Sequence, residues 1–233
     1  MSACFLSPVA YITMIVYIAV SGSTFLIGII KNTGSNESLS LLFYSAITLW
    51  LTVLITVICM RLFAEERRSG TLETLMTAPI TEMEIVMGKY FGALSFLIIA
   101  IIPTISFVYI LRWYSNNSLI LDNGAIIGGA IFVLMFSAFA SSLGLLISML
   151  TRSQIVSAIS IFCVIWCSML FGNIVTALPE WLFIGGSDLY SIMSHLDSFA
   201  RGLVDTRTII FYLASTVFLL FVAIQLLESR RLR

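Results

Sequence analysis

The residues best equipped for chemistry lie together between Phe63 and Lys89, in the stretch FAEERRSGTLETLMTAPITEMEIVMGK. Carboxylates and guanidinium groups sit there beside a helical apolar pattern, while long runs on either side carry no charge. Gly70 is expected to interrupt the helix arriving from the preceding apolar run. Thr71 can then cap a short helix through Thr77, with Glu73 in the first turn, where the helix dipole favours an anion. Leu72, Leu75 and Met76 fall at i, i+3 and i+4 and form one apolar ridge, which Pro79 ends. A second start follows at once. Thr81 and Glu84 have the spacing of a capping box, and Ile80 and Ile85 sit where a hydrophobic staple closes. This second helix is expected to run through Gly88 and Lys89 into the next apolar run.

The chemistry such a ridge offers is recognition. Anchors at i, i+3 and i+4 inside a charged rim suit the groove of a partner protein. A helix of about two turns is marginal alone in water, since isolated helices below roughly 12–15 residues seldom hold. The ridge therefore needs a surface. The residues alone leave three open: a partner, the body of this chain, or the lipid headgroups.

The elements that must present this polar segment are membrane helices. Sixty per cent of the 233 residues are hydrophobic and 10% are charged, against about a quarter charged in soluble domains. Mean hydropathy is +1.08. Largely apolar runs long enough to span a bilayer, which takes about 20 residues, occur at about 8–30, 40–62, 90–111, 124–150, 154–178 and 208–227. The expected fold is an all-α integral membrane protein, one transmembrane domain over 1–233, with six spans. Residues 63–89 link the second and third, and an outer interfacial or re-entrant segment covers 179–207. Ser7-Pro8 marks the start of the first span, which is read as a retained anchor because no basic region or cleavage signal precedes it.

Lysine and arginine give the orientation. The side that would hold both termini carries Arg61, Arg67, Arg68, Lys89, Arg152, Arg230, Arg231 and Arg233; the other carries Lys31, Arg112, Arg201 and Arg207. The positive-inside rule then places both termini and the polar segment in the cytoplasm.

Several function classes fall away. The formal net charge is zero, so nothing basic points to nucleic acid. There is no HExxH or GxSxG, and His195, two residues from Asp197, reads as a surface hydrogen-bonding group. MGKY at Met87–Tyr90 lacks both the glycine loop and the hydroxyl residue of a P-loop. The span interiors hold none of the ionisable residues that mark proton or ion relays. Uphill transport would then draw its energy from outside the chain. Cys4, Cys59, Cys163 and Cys167 form no CxxC pair; Cys163 and Cys167 share a helix face and read as small packing residues rather than metal ligands. Gly124 and Gly128 form a GxxxG that suits either a subunit interface or packing within the chain. Pro103 is expected to kink the third span, as a flexing point or as plain architecture.

The sequence EERRSGTLETLMTAPI followed by GK resembles the signature of ABC-2 type transporter permeases. The matching positions are Glu66, Arg67, Gly70, Thr71, Leu72, Glu73, Leu75, Pro79, Gly88 and Lys89. SPVAYI, SHLDSFARGLVDTRTIIFYL, LGLLISMLTRSQIVSA and the final LLESRR extend the likeness, which is closest to the gliding-motility-type permeases. One element departs from the pattern: where a basic amphipathic helix usually precedes the first span, only MSACFL stands before Ser7-Pro8, so either the start is shortened or this member does without that helix.

The resemblance implies that the polar segment is a coupling helix. It would seat Glu66, Arg67, Gly70, Thr71, Leu72, Glu73, Leu75, Met76 and Pro79 in a cleft of a separate ABC ATPase. It implies a bacterial inner-membrane permease, an exporter without cofactor of its own, ATP and Mg belonging to the ATPase. A second copy or a homologous permease would complete the transporter, lipid would surround it, and an extracytoplasmic protein could contact the outer segment. Spans without interior charge suit a lipid, an amphiphile or a polymer as substrate. The alternative is a non-transporting component that relays ATP-driven motion to an envelope or gliding machinery. A passive channel is the third reading.

Overall fold

A chain this apolar must satisfy its backbone amides internally once in lipid, and a helix does so within one segment. The computed structural model describes residues 8–31, 39–64, 70, 81–114, 123–151, 153–177 and 191–231, and over these it is all-helical, without strands. The helices are α1 (Pro8–Lys31), α2 (Leu39–Leu62), α3 (Glu82–Tyr114), α4 (Asn123–Leu150), α5 (Gln154–Ala177), α6 (Ile192–Ala200) and α7 (Thr206–Arg231). Five of these, α1, α2, α3, α4 and α7, are long and apolar enough to cross a membrane. The apolar stretch in α5 is shorter, Gln154–Leu170. At 1.5 Å per residue the 24 residues of α2 rise about 36 Å, enough for a hydrocarbon core of about 30 Å.

The third helix begins at Glu82, ahead of its apolar run, because the cap at Thr81 starts it and nothing breaks it before Tyr90. Pro103 lies inside it, with helix on both sides.

The core is the pair α2–α4. Lipid gives two helices no hydrophobic reason to associate, so small residues and close packing must hold them. Near the start of α4, a Cβ on Gly129 would collide with the ring of Tyr44. The Tyr44 hydroxyl donates to the carbonyl oxygen of Ile126 at 2.5 Å. Towards the other end, a Cβ on Gly144 would lie 2.7 Å from that of Cys59. Both contacts join like ends, so α2 and α4 run in the same direction.

The remaining helices dress this pair. Phe25 of α1 meets Phe43 of α2 edge-on at 5.0 Å. Tyr212 of α7 packs against Phe132 and Phe139 of α4, at 5.9 and 5.6 Å. Only 17% of the apolar window of α1 and 22% of that of α7 is buried, against 56% for α2. The outer faces of α1 and α7 are thus free for lipid or a partner.

Hydroxyl groups in the core bond chiefly to their own helices. Thr52 donates to Leu49 and Thr56 to Thr52, both at 2.7 Å. Ser137, Ser141 and Ser142 donate to Leu134, Ala138 and Phe139.

The short α6 sits against the start of α4. Ile192, His195, Leu196, Phe199 and Ala200 are its buried face, at helical spacing. Ser191 caps it, accepting from the Ser194 amide at 3.3 Å. Its far end is fixed by two polar or close contacts. Ser40 of α2 donates to the carbonyl oxygen of Ala200 at 2.7 Å. Gly128 of α4 lies so near Phe199 that a Cβ would strike its carbonyl oxygen. Gly202, at φ 82°, turns the chain beside Gly124. The GxxxG of α4 therefore serves packing within the chain.

Two sequence readings are corrected. His195 is buried, because it occupies the inward face of α6 with its ring 5.9 Å from that of Tyr212. Cys163 and Cys167 are exposed on α5 rather than packed in the core; its inward face is Ser157, Ile161, Ile165 and Met169. Only Cys59 of the three packs inside.

Gly129→Val is expected to force Tyr44 away from α4 and cost about 1–3 kcal/mol as overpacking. The check is a lowered midpoint of thermal unfolding in detergent. An unchanged midpoint would show that the close approach is dispensable.

Candidate functional site

The polar segment joins the end of α2 to the start of α3. Of the residues expected to form its docking face, Gly70 is described: it is exposed and has φ 73°. A Cβ there would meet nothing within 4 Å, so the left-handed backbone, not crowding, favours glycine. Glu66, Arg67, Thr71, Leu72, Glu73, Leu75, Met76 and Pro79 lie outside the described residues, as do the helix expected over 71–77 and the Ile80 side of the staple.

The return is capped as its spacing predicts. The Glu84 carboxylate accepts from the Thr81 amide at 3.1 Å, and the Thr81 hydroxyl accepts from the Glu84 amide at 3.4 Å. Two of the amides that a helix start leaves without a partner are satisfied by this exchange. Glu82 and Glu84 also place negative charge in the first turn of α3.

Two turns on, Lys89 reaches back to the exit. Its ammonium donates to the carbonyl oxygen of Leu62, at the last turn of α2. It also lies 4.0 Å from the ring centroid of Phe63. A helix C-terminus carries partial negative charge and orphan carbonyls, so a cation is favoured there. The aromatic face adds about 0.5–1 kcal/mol of attraction when exposed, more when desolvated.

The exit is held from a third direction. The amides of Phe63 and Ala64 both donate to Oγ of Ser148 on α4, each at 3.2 Å. Phe63 and Ala64 are almost wholly buried. Tyr90, next to Lys89, donates to the carbonyl oxygen of Ala138 on α4 at 3.3 Å. The base of the segment thus brings α2, α3 and α4 together within a few residues. Ser148 was not foreseen in the sequence, where it is one of many serines in apolar helices; nothing local pairs it with residues 84 and 85 positions away.

Among the described residues no group of three or more His, Cys, Asp or Glu side chains could hold a metal ion. An open groove along α7, lined by Ile210, Leu213, Ala214, Val217, Phe218 and Phe221, is apolar and faces outward.

Residues 29–184 match the family described as ABC-2 family transporter protein, a stretch that contains α2 to α5 and the whole polar segment. The chain belongs to the ABC-2 transporter family. No curated protein matches it. Members of this family are multi-pass membrane components of transport, not themselves catalysts, and membership implies partnership with an ABC ATPase subunit.

Thr81→Ala removes one side of the capping box and is expected to cost about 0.5–2 kcal/mol of local helix stability. Amide exchange across Glu82–Ile85 should then rise several-fold while exchange in α4 is unchanged. Equal exchange in the two proteins would mean that the cap contributes nothing.

Proposed function

We propose that this ABC-2 chain is the permease subunit of an ABC exporter and that residues 63–89 couple it to a separate ATPase. The observation that carries the reading is the family match over 29–184, which includes the polar segment that no span can hide. The ridge of Leu72, Leu75 and Met76 enters a cleft of the ATPase, with Glu66, Arg67 and Glu73 at its rim and Gly70, Thr71 and Pro79 setting its ends. ATP and Mg are bound by that partner.

In this reading α5 is the sixth span and the chain forms one domain. Both termini and the polar segment face the cytoplasm of a bacterium, on the side with eight of the twelve Lys and Arg residues. A second copy or a homologous permease completes the transporter. The likeness of SPVAYI and SHLDSFARGLVDTR supports the gliding-motility type within the family.

Affinity purification of the chain in mild detergent tests this. An ABC ATPase is expected to co-purify with the native protein and to be lost, by at least about tenfold, when Glu73→Lys is combined with Leu75→Asp; truncating or charging a docking anchor costs on the order of 2 kcal/mol or more. Retention of the ATPase by the double variant removes the segment from docking. A passive channel would instead conduct alone and be indifferent to the substitution.

A further inference from the structure

From the geometry at the base of the polar segment we infer that Lys89 and Ser148 are positioning residues for energy coupling: Lys89 ties the segment's returning end to its outgoing end, and Ser148 fastens the outgoing end to α4. The inference rests on the coupling reading above and adds the route by which force would leave the segment.

A loop between two helices ordinarily transmits little, because its ends can swing independently of the bundle. Here neither end is free to swing. The outgoing chain leaves α2 through Phe63 and Ala64, whose amides are held by the one hydroxyl of Ser148. Both residues are buried, so water does not compete for this attachment while the turn stays buried. The returning chain is tied through Lys89 to Leu62 and Phe63, across 27 residues of sequence. Closing the segment at its neck makes its two ends move together, and Ser148 makes α4 move with them.

α4 is the right recipient. It is locked to α2 along its length at Gly129 and Gly144, and it carries α6 at its far end through Gly128. A displacement of the segment is therefore delivered first to the central pair, and from α4 it can pass on to α7 at Tyr212. The ammonium suits the task because it serves the carbonyl dipole and the aromatic face at once; arginine keeps the charge and also carries N–H donors.

The test uses the chain with the ATPase that co-purifies, carrying Lys89→Met or Ser148→Ala, with Lys89→Arg and Ser148→Thr as conservative counterparts. Two quantities are read: the amount of ATPase held, and the change in amide exchange over the last turns of α4 on adding ATP and vanadate. The expected result is undiminished ATPase binding with an ATP-driven change in α4 about 2- to 30-fold smaller, restored by the conservative variants. Should Lys89→Met not fold, Ser148→Ala decides, since it removes one hydroxyl and leaves the apolar packing. Full transmission to α4 in the variants overturns the inference and leaves the coupling reading standing. Loss of the ATPase together with the change also overturns it, making these residues part of docking. If the native chain holds no ATPase, the coupling reading fails first and takes the inference with it.

Discussion

Tyr44 lies over Gly129 and Cys59 lies over Gly144, so the same device, a side chain of α2 received by a glycine of α4, operates towards both ends of the seam. In lipid this device does what apolar burial does in water. Leucine faces gain nothing by leaving one hydrocarbon for another, and the helices are held by how near their backbones come. Once that spacing is set, the other elements have places. α6 reaches Ser40 of α2 and Gly128 of α4 together because those two residues are brought side by side. Ser148 can accept from Phe63 and Ala64 for the same reason, at the opposite end.

Much of the fold was legible because its rules are local. Helix α2 runs from Leu39 to Leu62 where the apolar run was read as 40–62, and the Thr81–Glu84 exchange follows from spacing alone. What stayed hidden depends on which face turns inward. His195 looked like a surface group because Asp197 lies two residues on, yet Asp197 pairs with Arg201 on the outer side of α6 while the imidazole faces Tyr212. Cys163 and Cys167 were placed on one face correctly, but nothing in a uniformly apolar helix says which face the bundle takes. The GxxxG of α4 announced a close approach without naming its partner, which proved to be the end of α6. Lys89 was visible as part of a motif; that it closes the neck of the segment was not.

The distribution of charge gives the molecule its polarity of function. Among the described residues the buried polar groups are hydroxyls and the His195 imidazole, without carboxylate, ammonium or guanidinium. Charge gathers instead where the chain leaves and re-enters the bundle. On the proposed reading this is where work enters, and the fastening of the segment to three helices at one level keeps that work from being spent on local bending.

The serine and threonine hydroxyls of the core have a mechanical consequence. Because Thr52, Thr56, Ser137, Ser141 and Ser142 are satisfied by carbonyls of their own helices, moving one of these helices past a neighbour breaks none of these bonds. What resists such a movement is therefore the seam at Tyr44–Gly129 and Cys59–Gly144, together with the hydrogen bonds that Ser40, Tyr44, Tyr90 and Ser148 make between elements.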